Sequence, residues 1–174
     1  MPRTSEIVTA RYLIALGSNV RHARHGRPEA VLRAALTALP GRLEAAAPIV
    51  ASAPLGPSRR RYANSAAIIA CDLAPDDLLV RLQAIERQFG RKPRGRRWAA
   101  RVLDLDIVLW SGGPWSSPGL TIPHVAFRQR QFVLQPASAI APAWRDPLSG
   151  LTLRHLHTRL IRRYPALDQA KPPA

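Results

Sequence analysis

The chain has 174 residues, of which 47% are apolar, and a formal net charge of +15. This length and apolar fraction fit one folded domain and exclude a disordered chain, and no apolar run reaches the roughly 18 residues of a membrane span. The charge favours polyanionic ligands: nucleotide phosphates, nucleic acid or an acidic membrane surface.

The cysteine content and the first residues indicate a compartment. Cys71 is the only cysteine, which excludes an internal disulfide and a multi-cysteine zinc site. Residues 1–10 lack the apolar core of a secretory signal, so we expect a soluble protein of a reducing cytoplasm. Only Lys92 and Lys171 are lysines. A GC-rich coding bias is an alternative explanation for so many arginines, but it does not explain where they cluster.

The first half of the chain predicts a strand, a helix and a second strand. Residues 11–16 form a short apolar strand before a Gly-Ser-Asn turn, and residues 28–39 place apolar side chains at helical spacing. Residues 43–52 read as a further strand, which Pro48 restricts to an edge or a bulge.

The same order then repeats. We expect a strand over residues 62–73, a helix from Pro75 to Phe89 that Gly90 ends, and a strand over residues 102–110. Loops are predicted at residues 53–61, 91–101 and 111–119.

This order predicts an α+β fold, a ferredoxin-like βαββαβ sandwich with helices on one face of a mostly antiparallel sheet. A helix over residues 152–163 adds a helical C-terminal extension. We expect a flexible head over residues 1–10, one domain over residues 11–163 and a polar tail over residues 164–174.

The sharpest chemical signal is a pair of acidic residues, Asp104 and Asp106, within an apolar strand. Residues two apart in a strand share a face, so Leu103, Leu105 and Ile107 point one way and both carboxylates the other. Two adjacent carboxylates repel each other unless a cation lies between them, and Mg²⁺ suits two carboxylates with substrate phosphates. The alternative is an exposed strand face that nearby arginines neutralise.

Six cations precede this pair without an intervening acidic residue. Arginine forks bind phosphate oxygens, so the segment and the carboxylates together favour a polyphosphate site. The alternatives are a solvated basic loop and a nucleic-acid patch. The six cations are Arg91, Lys92, Arg94, Arg96, Arg97 and Arg101.

Residues 97–108 resemble the signature of the 6-hydroxymethyl-7,8-dihydropterin pyrophosphokinase family, and the resemblance extends over about residues 11–160. Other family landmarks occur in the family's order. They lie at residues 15–19, 54–57, 62–64, 86–91, 121–124 and 130–132.

The resemblance implies transfer of the pyrophosphoryl group of ATP to the pterin's hydroxymethyl oxygen, with release of AMP and with two Mg²⁺ ions. Asp104 and Asp106 would hold both metals. Arg97 and Arg101 would clamp phosphates, and two further side chains would contact the triphosphate: His124 and Arg130.

The resemblance also assigns two substrate pockets. Tyr62 and Phe132 would sandwich the pterin, and Asn64 would satisfy its polar edge. The pterin set is completed by Ser52, Ala53, Leu55 and Trp98. The ATP set adds Gln83, Glu86, Trp98, Ile107, Thr121 and Val125 to the phosphate-contacting residues.

The sequence departs from the family pattern mainly on the nucleotide side. Pro93 and Gly119 stand where many members carry arginine, and Val125 stands where tyrosine is common. These departures imply weaker ATP binding rather than lost chemistry. The resemblance further implies a monomer that acts on small molecules and binds neither nucleic acid nor membranes. A non-catalytic pterin- or nucleotide-binding relative and a basic nucleic-acid-binding module are the competing hypotheses.

Overall fold

A computed structural model describes residues 9–52, 61–91 and 101–164. Within these residues the first unit comprises β1 (Ala10–Ser18), α1 (Pro28–Ala38), β2 (Arg42–Ala46) and β3 (Val50–Ser52). The second comprises β4 (Tyr62–Cys71), α2 (Pro75–Gln88) and β5 (Asp104–Trp110). A hairpin of β6 (Trp115–Ser117) and β7 (Leu120–Ile122) precedes α3 (Gln131–Ile140) and α4 (Leu153–Arg163).

The main sheet confirms the ferredoxin-like prediction. Its strand order is β2-β4-β1-β5, β3 pairs with the remainder of β4, and every pair is antiparallel. The predicted strand over residues 43–52 is divided into β2 and β3, with Pro48 in the break, because proline cannot donate to a strand ladder.

The sheet is covered on both faces. Helices α1 and α2 pack on one face against side chains such as Ile14 and Leu105. Helices α3 and α4 pack on the other face against Leu13 and Ile68. The predicted single helical face therefore holds for the helices between strands, and the C-terminal extension supplies a second helical layer.

Two elements were missing from the predictions. Helix α3 carries Pro136 in its interior, a residue that ordinarily ends a helix. The second is the hairpin, in which β6 lies within the predicted loop of residues 111–119 and β7 follows directly after it. Ser117 Oγ donates to Asp76 Oδ1 at 2.5 Å, which ties the hairpin to the first turn of α2. None of the described helices has the length and apolar character needed to cross a membrane.

Strand β5 forms one edge of the main sheet, and side chains and loops cover that edge. The Leu105 N–H donates to Glu86 Oε1 of α2 at 2.8 Å. The His124 N–H donates to the Val108 carbonyl at 3.0 Å. The register between β1 and β5 shifts at Val108, forming a β-bulge. Both covering residues belong to the predicted functional set.

Candidate active site

The two acidic residues of β5 lie on the face predicted for them. Leu103, Leu105 and Ile107 are buried in the core beneath α1 and α2. Asp104 and Asp106 point to the opposite face, with 28% and 37% of their side chains exposed. Both carboxylates are therefore accessible while the strand that carries them is fixed by its apolar side.

Each carboxylate is flanked by two basic side chains. Asp104 Oδ1 lies 2.5 Å from Arg101 Nη1 and 3.6 Å from Arg91 Nη1. Asp106 Oδ2 lies 3.9 Å from His124 Nε2 and 4.0 Å from Arg130 Nη1. The structure thus brings together Arg101, His124 and Arg130, which the family resemblance assigned to the phosphates. It adds Arg91, which the sequence had placed in a basic segment and in a family landmark without a role at the site.

Burial and mutual repulsion set the proton affinities of this cluster. Burial and the Asp104 carboxylate raise the pKa of Asp106, against the opposing effect of His124 and Arg130. Burial lowers the pKa of His124, although Asp106 opposes that shift. A cation that binds beside a carboxylate with a raised pKa stabilises the ionised form of that carboxylate.

Glu86 is a buried acid that joins α2 to both the site and β5. Its side chain is 2% exposed, its Oε2 pairs with Arg91 Nη1, and its Oε1 accepts the Leu105 N–H. Burial raises the pKa of Glu86, against the lowering effect of Leu105 and Arg91. Glu86 therefore supports Arg91 and β5 from behind. Gln83, predicted beside it, is exposed on α2.

The backbone of Arg101 is bound to the end of β1. The Asn19 N–H donates to the Arg101 carbonyl at 3.1 Å, and the Arg101 N–H donates to Asn19 Oδ1 at 2.8 Å. These bonds fix the main chain three residues before β5 begins. Sequence reasoning noticed Asn19 only as part of a turn.

The predicted pterin residues lie on the neighbouring strands and on α3. Asn64 is buried, and its Nδ2 donates to Ser52 Oγ at 2.7 Å. Tyr62, half-buried, is the register partner of Ser52. Phe132 lies in the first turn of α3, with the Arg130 guanidinium 5.7 Å from its ring centre.

The remaining nucleotide residues are dispersed. Ile107 is a core residue, packed in the same cluster as Leu120 and Ile122. Thr121 lies between those two on β7 and is exposed, and Val125 is 72% exposed. Ala53, Leu55, Arg97 and Trp98 lie outside the described residues.

The donor set suits a hard divalent cation that is shared with a substrate. No group of three or more His, Cys, Asp or Glu side chains able to hold a metal occurs among the described residues, so a cage made only of protein ligands is not formed there. Two carboxylates fit Mg²⁺, which retains waters and takes further oxygens from substrate phosphates. Asp104 and Asp106 meet that requirement.

Comparison with known proteins agrees with this geometry. Residues 13–142 match the family profile for 7,8-dihydro-6-hydroxymethylpterin-pyrophosphokinase. A Pseudomonas aeruginosa protein named 2-amino-4-hydroxy-6-hydroxymethyldihydropteridine pyrophosphokinase is 43% identical over 142 residues, which cover 79% of this chain and 84% of that protein. A Haemophilus influenzae protein of the same name is 41% identical over 133 residues, covering 74% and 79%.

The fold also matches solved structures. A Plasmodium falciparum HPPK-DHPS structure with pteroate superposes with a TM-score of 0.72 at 12% identity, over 89% of this chain. The match spans 45% of that longer chain, and at this identity it supports the fold alone.

Proposed function

The chain belongs to the 7,8-dihydro-6-hydroxymethylpterin-pyrophosphokinase family, and from this we propose that it transfers the pyrophosphoryl group of ATP to 6-hydroxymethyl-7,8-dihydropterin in folate biosynthesis. The hydroxymethyl oxygen attacks the β-phosphorus, the bond from that phosphorus to the α–β bridging oxygen breaks, and AMP leaves. One proton is released from the hydroxyl. We further propose a cytoplasmic monomer, with the catalytic domain spanning residues 11–163.

The observation that carries this proposal is the pair of carboxylates flanked by basic side chains. Asp104 has Arg101 and Arg91 as neighbours, and Asp106 has His124 and Arg130. A triphosphate with bound magnesium presents negative oxygens and a divalent cation together, and this site offers partners for both. Asp104 and Asp106 would hold Mg²⁺, which supplies Lewis-acid polarisation of the phosphates and helps to acidify the attacking hydroxyl.

The basic side chains would orient the triphosphate. The contact with Asp104 uses one N–H group of the Arg101 guanidinium, and a guanidinium has five. Within residues 9–52, 61–91 and 101–164 its remaining donors have no hydrogen-bond partner, and they would bind phosphate oxygens as charge accumulates on the transferred group. On the basis of the family resemblance, Arg97 and Trp98 are also assigned to the binding of ATP.

The pterin would lie beside Asn64. An amide both donates and accepts, as the pterin edge requires, and Ser52 holds the Asn64 side chain in place. Tyr62 and Phe132 are proposed to stack on the two faces of the ring, and Ala53 and Leu55 to complete the pocket. The adenosine side is assigned to Gln83, Ile107, Thr121 and Val125.

The direct test is AMP release from MgATP in the presence of the dihydropterin. We expect AMP only when the pterin is present, and loss of turnover by at least about 10³-fold in Asp106→Ala, because the developing charge loses its metal site. Asp72→Ala is the matched control, since it removes the same charge from an exposed position after β4.

The outcomes separate the competing hypotheses. Full activity in Asp106→Ala would refute the proposed metal site. No AMP from the unaltered protein, despite tight pterin binding, would identify a non-catalytic relative. Metal-independent, steeply salt-dependent binding of nucleic acid without AMP release would favour the basic binding module.

A further inference from the structure

The end of β1 is joined to Arg101 by a reciprocal pair of hydrogen bonds beyond the regular ladder of the sheet. The register between β1 and β5 ends at Gly17 and Asp104. Past that point the Asn19 N–H donates to the Arg101 carbonyl, and the Arg101 N–H donates to Asn19 Oδ1. A side-chain oxygen therefore accepts the bond that a main-chain carbonyl accepts within a ladder.

The Asn19 side chain is enclosed, and its oxygen is the atom with a partner. Asn19 is 4% exposed. Its Nδ2 is buried and has no hydrogen-bond partner among the described residues, which is unfavourable for an amide. The contribution of this side chain is therefore made through Oδ1, and its recipient is the main chain of Arg101.

Arg101 transmits that constraint to the reacting groups. Its guanidinium lies 2.5 Å from Asp104 Oδ1 and stands next to the proposed triphosphate position. The guanidinium can only reach as far as its side chain allows, so the position of the main chain decides which side-chain conformers bring it to Asp104 and how much entropy is lost in fixing them. A displacement of about 1 Å at a catalytic group can reduce turnover about 100-fold.

We infer that Asn19 is a positioning residue for the reaction, whose Oδ1 fixes the Arg101 main chain so that the guanidinium reaches both Asp104 and the transferred phosphate. The inference rests on the proposed function and deepens it by assigning a residue that touches neither substrate. The proposed effect of Asn19 is confined to the part of the site that binds ATP, so the affinity for the pterin should not change when Asn19 is substituted.

A double-mutant cycle tests this inference. The unaltered protein, Asn19→Ala, Arg101→Ala and the double variant are compared by kcat/KM for ATP, and by the Kd of a non-hydrolysable ATP analogue with Mg²⁺. We expect Asn19→Ala to lower kcat/KM by about 10- to 100-fold in the unaltered background. In the Arg101→Ala background the same change should cost less than about 2-fold, because the guanidinium that it positions is absent.

Ser18→Ala is the matched control. Ser18 is the buried neighbour of Asn19, and its Oγ has no hydrogen-bond partner among the described residues. The change alters the same strand end without touching Arg101, so activity should stay within about 2-fold. If Asn19→Ala does not fold, Asn19→Ser, which retains a shorter oxygen acceptor, takes its place in the cycle.

Equal losses from the Asn19 change in both backgrounds would overturn the inference, since they would show an effect that does not pass through Arg101. A rise in the Kd of the pterin as large as the loss in kcat/KM for ATP would also overturn the inference, because it would indicate a general distortion of the active site. If the proposed function itself were wrong, the unaltered protein would release no AMP. The Kd values of the ATP analogue could still be compared among the four proteins of the cycle.

Discussion

Asn64 and Asp104 are cross-strand neighbours of the same residue, Gly17. In the register of the sheet Gly17 faces Asn64 on β4 and Asp104 on β5. Adjacent strands lie about 4.8 Å apart, so the backbones of the two residues are separated by about 10 Å. The proposed pterin contact and the proposed metal ligand are thus held by two ladders that share β1, and the residue between them, Gly17, has no side chain.

Enlarging Gly17 should therefore narrow the space between the two substrates. A Cβ at this position would lie 3.5 Å from Asn64 Oδ1, an ordinary contact, so Gly17→Ala should keep the KM for the pterin within about 3-fold. Gly17→Val adds two methyl groups beside Asn64 and should raise that KM at least about 10-fold. Steady-state kinetics at saturating ATP measures both, and an unchanged KM in Gly17→Val would contradict the assigned pterin position.

Glu86 should matter for stability as well as for activity. Removing its buried carboxylate in Glu86→Ala leaves the Leu105 N–H without its acceptor, at an expected cost of about 2 kcal/mol in the free energy of unfolding. Glu86→Gln retains an amide oxygen for that N–H and should lose less. Urea denaturation compares the two variants, and equal losses would show that the Leu105 bond contributes little.

A second buried acid should make stability depend on pH. Burial alone would raise the pKa of Asp146, but the hydrogen bonds from Arg128, Ser149 and the Leu148 N–H hold it below its ordinary value. The folded pKa is lower than the unfolded one. The ionised group therefore stabilises the fold above the unfolded pKa, near 4, and this contribution disappears as the pH falls through the folded pKa.

The variant Asp146→Asn isolates that contribution. Its bidentate contact with Arg128, at 2.7 and 2.8 Å, loses its charge. The variant should unfold at lower urea than the unaltered protein at pH 7, and the difference should shrink as the pH falls below about 4. A difference that stays constant from pH 7 to pH 3 would contradict the assignment. Glu29→Gln, at an exposed position on α1, serves as the control.

Gly119 has a structural reason to be glycine. It occupies the two-residue turn between β6 and β7 with φ of 87°, directly after Pro118, and a proline–glycine pair favours such a turn. Gly119→Arg, which introduces the residue that the family resemblance leads us to expect at this position, should lower the free energy of unfolding by about 1 kcal/mol. Gly119→Asn should lose less stability, because asparagine tolerates positive φ. Thermal unfolding of both variants tests this order.

The sequence predicted the elements whose patterns are local. Alternation in β5 placed Asp104 and Asp106 on one face opposite Ile107, and the structure confirms it. The interior proline of α3 concealed a helix, because the rule that proline ends helices is also local. The tertiary packing of α3 on β4 overrides that preference.

Contacts between distant residues were not predictable in the same way. Glu86 and Arg91 are near each other in the chain, but Leu105, whose N–H donates to Glu86, is distant from both. Asn19 and Arg101 are 82 positions apart. Neither pairing follows from periodicity or composition. The first depends on how α2 packs against β5, and the second on the register of β5 against β1. The assignments of Tyr62, Phe132, Arg97 and Trp98 remain predictions from the family resemblance.

The covering of the β5 edge ties chemistry to solubility. An open strand edge can pair with a strand of another chain, and here Glu86 and His124 occupy the outward-facing groups of Leu105 and Val108. The Leu105 N–H is covered by a side chain and the Val108 carbonyl by a main-chain N–H. A substitution that removes the Glu86 side chain would therefore disturb the site and also leave part of this strand edge open to pairing with another chain. Active protein would then be lost faster at higher protein concentration, because association through the open edge requires two or more molecules.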